Sequence, residues 1–411
     1  VRLLFRSFRP CLGLLLLVVM MPSSAQTSPD TMPAALSHWV DVALAHHPDA
    51  ELPPAQQEEA QAIARKSQAW LAADPSLHIS HQDGSLGSNP RLRTWEAGLD
   101  LPLWLPTQRR AWQQLARQSE AAQLAYTRYL RWQVSGEVRE LLWTAALAKN
   151  HLRQAQQAQT SAAALHDQVI RQVRAGELPQ MDQLLSENEL LARQAEVVSA
   201  QAEVEQAQAA LRSLIGTEVT DEALNEPLCP AKLSLQDHPL YKLSGLRLAR
   251  AQAERKRALG ERRAPPVLSV GSRRDRGAYD PVYTNSVGIE LTVPLGLESQ
   301  AGPNIASQSV AVAEAQAEHA QTLRGIELGW QRAQQTLTAT RRAQALAGQR
   351  KALAARNLDM AQLAFNLGEI DLMDLLRVRE QSLNALRENE QQSLQLGHAI
   401  ASCNQAAGIS P

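Results

Sequence analysis

Aromatic side chains are scarce in this 411-residue chain: they make up 4%, and only three residues are Phe. A compact globule of this size would carry more of them in its core. Charge of one sign is missing too, since 41 Lys plus Arg stand against 42 Asp plus Glu, for a formal net charge of -1. That balance removes the electrostatic case for nucleic-acid binding, which needs a basic field. Three cysteines are too few for a disulfide scaffold or a cysteine-rich metal site. Proline is missing from two long stretches, the 72 residues from Thr107 to Leu178 and the 107 from Asn304 to Ser410. Beyond the N-terminus no run approaches 18 consecutive apolar residues, so no transmembrane helix is expected there. Ala, Gln, Leu, Glu and Arg fill the space instead, a composition suited to long, thinly packed helices.

The N-terminus reads as an address. Arg2, Arg6 and Arg9 precede an apolar run from Leu12 to Met21, and Ser23-Ser24-Ala25 offers small residues for cleavage. Residues 1–25 are therefore expected to be a secretory signal, with an uncleaved anchor as the alternative reading. Cys11 lies before the apolar core, so it is not a lipoprotein cysteine, and processing would leave Cys229 and Cys403. An exported chain without a spanning helix can still enter a membrane as a closed β-barrel.

The chain repeats itself. His47-Pro48 recurs as His238-Pro239, and a second proline follows 27 residues later in each copy, Pro75 and Pro266. Gly98-Leu99-Asp100-Leu101 recurs as Gly288-Ile289-Glu290-Leu291, and Gly176-Glu177-Leu178 as Gly368-Glu369-Ile370. Met181-Asp182 returns as Met373-Asp374, and Gly216 as Gly408, with an offset of 190 to 192 throughout. Two tandem copies, 26–218 and 239–411, are expected around a linker at 219–238. Each should begin with a helix (Ala55 to Ala73; Leu240 to Arg263). Two short strands follow, about Leu77–Gln82 and Arg93–Leu101 in the first copy, Val267–Arg273 and Thr284–Val293 in the second. The proline-free stretches then predict very long helices, about 100 Å for Thr107 to Val173, with coiled-coil spacing at Val134, Val138, Leu141, Leu152, Leu165, Val169 and Val173. Gly176 and Gly368 should form hairpin tips before return helices at Met181–Leu214 and Leu372–Ala406.

Four strands cannot close a barrel, and open sheet edges cannot face lipid. The smallest outer-membrane barrels need about eight strands, so several chains must pool theirs, and three would supply twelve. A soluble coiled-coil rod is the competing architecture.

With these elements in order, the sequence resembles the TolC-like outer-membrane efflux protein family. The residues that carry the resemblance are Gly98 to Gln108, the tip Arg174 to Leu178 followed by Asp182, the second tip Gly368 to Asp374, and the Ala/Gln-rich helices ending at Gly216 and Gly408. It covers nearly all of the chain after the signal. It implies a mainly α protein with a small β part. Two tandem repeats each supply long coiled-coil helices and two strands to a homotrimer, which forms a 12-stranded outer-membrane β-barrel and a periplasmic α-barrel. It implies a passive duct of the Gram-negative outer membrane with no catalysis and no cofactor. Its partners would be a periplasmic adaptor (membrane fusion) protein, an inner-membrane RND-type pump and outer-membrane lipid. The Pro102-Leu103-Trp104-Leu105-Pro106 run and the Gly-Glu-Leu tip look most like the heavy-metal cation branch; drug-type efflux and type I secretion ducts are the alternatives, and a soluble periplasmic scaffold is the reading from another class.

Site expectations follow. Arg174, Gly176, Glu177, Leu178, Gly368, Glu369 and Ile370 form tips that in this family meet the adaptor; a plain helix–helix turn would need the same glycines. The family often places a serine after the tip glycine, where Pro179, Gln180 and Asp371 stand nearby here. Asp374 matches a position where family members set an acidic ring at the periplasmic aperture, but the usual second acid is Arg377. Either Asp371 or Glu369 contributes such a ring, or Asp374 pairs with Arg377 across one helical turn. Trp95, Trp104, Tyr279 and Tyr283 suit an aromatic girdle, Trp104 equally a helix–strand joint, while Trp112, Trp132 and Trp143 suit helix seams. His46, His47, His78 and His81 lack zinc-site spacing. Cys229 and Cys403 either form a disulfide in an oxidising compartment or remain two separate thiols. No phosphate loop or catalytic constellation is present, so no enzyme is expected.

Overall fold

The computed structural model describes residues 34–84, 92–216, 224–277, 279–296 and 298–411. The expected signal segment, Cys11, most of the first hairpin turn with Asn89-Pro90, and the start of the linker lie outside the described residues.

Apart from an extra N-terminal helix in the first, the two copies have the same element order. The first runs α1 (Ala34–His46), α2 (Leu52–Gln68), β1 (Ser76–Asp83), β2 (Arg93–Pro102), α3 (Pro106–Arg174) and α4 (Gln180–Ile215). The second runs α5 (Pro239–Gly260), β3 (Val267–Arg276), β4 (Thr284–Thr292), α6 (Glu298–Asn366) and α7 (Leu372–Ala406). Helices α3 and α6 have 69 residues each, about 100 Å of continuous helix. Both begin at the strand end and stop just before a tip glycine, so the first proline-free stretch is one helix and the second is two, α6 and α7, parted at Gly368. Pro303 sits inside the first turns of α6.

The repeated His-Pro pair is a helix start. His47 and His238 are both extended, and each ring accepts a backbone N–H two residues on: His47 Nδ1 from Asp49 at 3.1 Å and His238 Nδ1 from Leu240 at 3.2 Å. The following proline gives up no hydrogen bond at a first-turn position and presets its φ for the helix. In the first copy this pair starts only a 3₁₀ turn at Pro48–Glu51, and α2 follows from Leu52. Pro53 and Pro54 therefore open α2. Two helix ends differ from expectation. Helix α2 stops at Gln68, where Ala69 turns extended (φ -55°, ψ 148°), which leaves Trp70 in the link to β1. Helix α5 stops at Gly260. Helix α1 was not expected; its Leu36, Val40 and Ala43 lie on one face and are fully buried, packed with Tyr126, Leu130 and Val134 of α3 and Leu211 and Ile215 of α4.

The strands form one antiparallel sheet in the order β1-β2-β3-β4. The central pair joins the two copies, β2 to β3, from Arg93 opposite Arg276 to Pro102 opposite Val267. Below the sheet α3 packs between α2 and α5, and α5 packs on α6. Towards the tips the neighbours change, and the helices lie in the order α4, α3, α7, α6.

Two links hold the middle of the molecule. A disulfide joins Cys229 of the linker to Cys403 of α7, with Cα atoms 5.7 Å apart, beside Trp330 and Leu337 of α6. Nearby, Arg139 of α3 meets Glu226 of the linker in a two-pronged ion pair at 2.9 and 3.0 Å, its side chain 4% exposed and that of Glu226 2%. Arg139 also donates to Ser135 Oγ, Gln405 Oε1 and the Ile409 carbonyl, and Asn404 Nδ2 donates to Glu226. One guanidinium thereby ties α3, the linker and the chain's C-terminal turn together.

Candidate functional site: the paired tips and the two-faced sheet

Both tips close in the same way. Gly176 and Gly368 have φ of +78° and +75°, a left-handed conformation that costs a residue with a Cβ about 1–2 kcal/mol. Each tip then returns two N–H groups into the helix just ended. Gly176 and Glu177 donate to the carbonyls of Val173 and Gln172, and Gly368 and Glu369 to those of Phe365 and Ala364. This pair of hydrogen bonds satisfies carbonyls that the helix end leaves free. The next residue turns inward: Leu178 and Ile370 pack on one shared cluster of Leu165, Val169, Phe365, Leu372 and Leu375. The two tips are thus parts of one surface. Arg174, Gly176, Glu177, Gly368 and Glu369 remain exposed.

The three aperture candidates are all exposed and all engaged within one turn. Asp371 caps α7, its carboxylate accepting the Asp374 N–H at 2.7 Å. Asp374 Oδ1 accepts from Arg377 Nη1 at 3.0 Å. Of the two arrangements expected for Asp374, the chain by itself adopts the pair with Arg377.

Behind the tips, α4 and α7 are stitched together across α3. Arg193 of α4 bonds Glu189 and Glu196 on its own helix and Glu380 on α7. Arg387 of α7 reaches Glu196 at 3.0 Å. Burial disfavours the charges of Arg193 and Glu196, but hydrogen bonds and charges outweigh it: Glu189, Glu196 and Glu380 raise the pKa of Arg193, and Arg193 and Arg387 lower that of Glu196. Arg379 of α7 donates to Ser161 of α3; burial lowers its pKa, with only Glu189 opposing. Sequence reading missed this lattice. Arg and Glu at helical spacing are common on solvated faces, and only the packing of α3 against α7 brings these together.

The sheet has two faces of different chemistry. On one, successive cross-strand rows read Leu101-Leu268-Leu291, then Leu77-Leu99-Val270-Ile289, then Ile79-Ala97-Ser272-Val287. Most of these apolar side chains are exposed. On the other face the rows read Ser76-Asp100-Ser269-Glu290, His78-Gly98-Gly271-Gly288, Ser80-Glu96-Arg273-Ser286 and Gln82-Thr94-Asp275-Thr284. Period-two alternation thus holds across all four strands. His78 lies over Gly98 with Nδ1 3.2 Å from Asp100, while His81 on the apolar face stacks on Trp95 with centroids 3.9 Å apart. At the same hairpin end Arg274 and Arg276 sit 4.6 and 5.0 Å from the Tyr283 ring, and Tyr279 is exposed. At the helix end Trp70 is 95% exposed, and Trp104 Nε1 donates to the Ala69 carbonyl at 2.9 Å. Lys66 and Arg257 lie 5.1 and 5.2 Å from the centre of the Trp112 ring, whose Nε1 donates to Glu261. Trp132 bonds the Gln405 carbonyl and Trp143 stacks on His398, as seam residues would.

Two kinds of edge are left open. β1 and β4 each have one unpaired side, and every residue of both strands is exposed. In the helical layer, α4 exposes Met181, Leu184, Leu191 and Val198, and α6 exposes Leu346, Leu353 and Met360 at seven-residue intervals. Among the described residues no group of three His, Cys, Asp or Glu could hold a metal ion, and no helix is long and apolar enough to cross a membrane.

No family model matches the chain, and no curated protein matches it by sequence. Solved structures do match. VceC, an outer membrane protein of Vibrio cholerae, superposes with a TM-score of 0.70 at 17% identity, over 91% of this chain and 96% of that one. CusC, whose structures concern transmembrane channel formation, gives 0.69 at 16% identity, over 91% and 92%. The open MtrE outer membrane channel of Neisseria gonorrhoeae gives 0.68 at 16% identity, over 92% and 89%. The chain therefore has the tandem-repeat fold of these outer-membrane channels, over nearly its whole length.

Proposed function

We propose that this chain is one third of a homotrimeric, passive duct in the Gram-negative outer membrane, the outer component of a tripartite efflux system. The observation that carries the reading is the two-faced sheet with both edges open. Three copies joined β4 to β1 give twelve strands and no edge, with the apolar face towards lipid and the polar face lining the lumen. The same operation brings the apolar stripe of α4 against that of α6 from the next copy, at the heptad spacing of a coiled-coil seam. Trp95, Tyr279 and Tyr283 at one end of the apolar face, and Trp70 and Trp104 at the other, suit the two interfaces of a bilayer. A soluble scaffold would give no reason for exposed apolar rows beside exposed polar ones.

The paired tips are the docking surface for a periplasmic adaptor, which links the duct to an inner-membrane RND-type pump. The shared cluster beneath them holds Arg174, Gly176, Glu177, Gly368 and Glu369 as one exposed patch. Metal cations are the cargo we assign. The lumen face carries Glu96, Asp100, Asp275 and Glu290 against Arg273, a field that favours cations. Asp374, once released from Arg377, would add an acid at the other end of the duct.

Carbonate washing, seminative electrophoresis and planar-bilayer recording test the reading together. The expected result is a protein retained in outer membranes, migrating as a heat-sensitive trimer and conducting ions. A carbonate-soluble monomer or dimer would refute it.

A further inference from the structure

Directly below the sheet, α3 and α5 border an open cleft of about 600 Å³. Its rim carries the exposed side chains of Arg110 at the start of α3, Lys256 near the end of α5, and Arg262 and Arg263 just beyond it, beside the apolar Leu105 and Leu259. No acidic side chain lines it. Four cations crowded into one cleft repel one another, and a fold normally offsets this with carboxylates. Elsewhere in this chain it does so repeatedly, as at Arg139, Arg193 and Arg250. Here Arg110, Arg262 and Arg263 have no carboxylate partner among the described residues, and Lys256 Nζ reaches only Gln114 Oε1, at 3.5 Å. The cleft also opens beside the N-terminus of α3, where the helix dipole adds partial positive charge.

Its height in the fold says what fills it. Pro102 and Val267, the last sheet residues on β2 and β3, lie eight residues before Arg110 and four after Arg263. The cleft is thus level with the lower end of the apolar face, where Trp104 and the exposed Trp70 stand. If that face meets lipid, as the duct reading requires, this is the depth at which a bilayer changes from acyl chain to headgroup.

We infer that the cleft between α3 and α5 binds the headgroup phosphate of an anionic phospholipid from the inner leaflet of the outer membrane. Arg110, Lys256, Arg262 and Arg263 hold the phosphate, and Leu105 and Leu259 meet the first carbons of the acyl chains. Arginine forks suit phosphate oxygens, and each basic side chain near a membrane surface adds about fivefold in affinity for anionic lipid. Three such sites around the trimer would fasten the helical part at a fixed depth below the barrel.

The inference rests on the duct reading, and the experiment separates the two. Detergent-extracted protein is titrated with phosphatidylglycerol or phosphatidylethanolamine, and bound lipid is counted by native mass spectrometry. The wild type should retain up to three phosphatidylglycerol molecules per trimer, with clear preference over phosphatidylethanolamine. The triple variant Arg110→Gln, Arg262→Gln, Arg263→Gln should bind phosphatidylglycerol on the order of 100-fold more weakly, and the Arg→Lys triple variant should keep most of the affinity. Both variants are first checked for heat-sensitive trimers, so a folding defect is not read as lost binding. Equal retention of the two lipids, or an unchanged Gln triple variant, overturns the inference while the duct stands. Displacement of the lipid by an equal concentration of inorganic phosphate also overturns it, since the cleft would then be a free-anion site. A protein that forms no trimer and enters no bilayer removes the duct reading and the inference together.

Discussion

Replacing Arg139 by Met should loosen the middle of the molecule far more than replacing Arg139 and Glu226 together. Arg139 and Glu226 are both nearly solvent-free, and the guanidinium makes five hydrogen bonds, two of them to Glu226. Arg139→Met fills similar volume but leaves a buried carboxylate whose remaining donor is Asn404 Nδ2 at 3.1 Å. Orphaning one member of a buried pair costs about 3–5 kcal/mol. The double variant Arg139→Met, Glu226→Gln removes the stranded charge, leaving the lost bonds to Ser135, Gln405 and Ile409, so its cost should be at least about 2 kcal/mol smaller. A chain of 411 residues does not unfold as one two-state domain, so the assay is local: amide exchange of 224–229 and 404–411 in the folded protein. In Arg139→Met those segments should exchange on the order of 100-fold faster or more, about 3 kcal/mol of lost protection. Most of that should return in the double variant. A double-mutant cycle with no coupling, the double variant costing the sum of the two singles, would refute the reasoning.

Cys403→Ser removes a crosslink spanning 174 residues; chain entropy alone sets an upper bound of about 5 kcal/mol on the loss. The wild type should show no free thiol at Cys229 or Cys403 after denaturation without reductant, and two free thiols there would contradict the bond. Burial lowers the pKa of His238 from 6.5 to about 4, so the folded state keeps the ring neutral while the unfolded state takes up a proton below pH 6.5. Stability is therefore complete above pH 6.5 and falls towards pH 4, by at most about 3 kcal/mol; His238→Asn, a non-titrating cap, should flatten this part of a pH–stability profile, and an unchanged slope would rule the group out. Gly368→Ala should cost about 1 kcal/mol at the tip through its positive φ and weaken adaptor capture on a sensor surface; unaltered adaptor binding would speak against the tips as the docking surface.

The landmarks legible in the sequence are those whose physics is local. A proline-free stretch, a glycine that must take positive φ and a histidine capping the turn after it act within a few residues, so α3, α6, α7 and both tips lie close to where they were expected. The strands were legible because alternation is a property of the strand itself. The ends of α2 and α5 were not, because Ala and Arg past Gln68 and Gly260 suit a helix as well as a link, and the approach to the sheet decides between them. Helix α1 packs on α3 and α4; Pro33 before it and His46 and Pro48 at its end are boundary signals that the sequence reading passed over.

At the candidate site the division is similar. The sequence by itself determined two copies, their order of elements, the tip residues and the Cys229 and Cys403 candidates, because each depends on spacing along one chain. Only the tertiary structure decided that the two tips share one core, that Arg139 has Glu226 as its partner, and that Arg193, Glu196, Glu380 and Arg387 form one lattice. It also decided that the polar rows of four strands align and that four unpaired cations face one cleft. Those facts depend on register and on which helix lies beside which, and they are fixed by burial and pairing between residues up to 280 positions apart, a distance over which local sequence carries no signal.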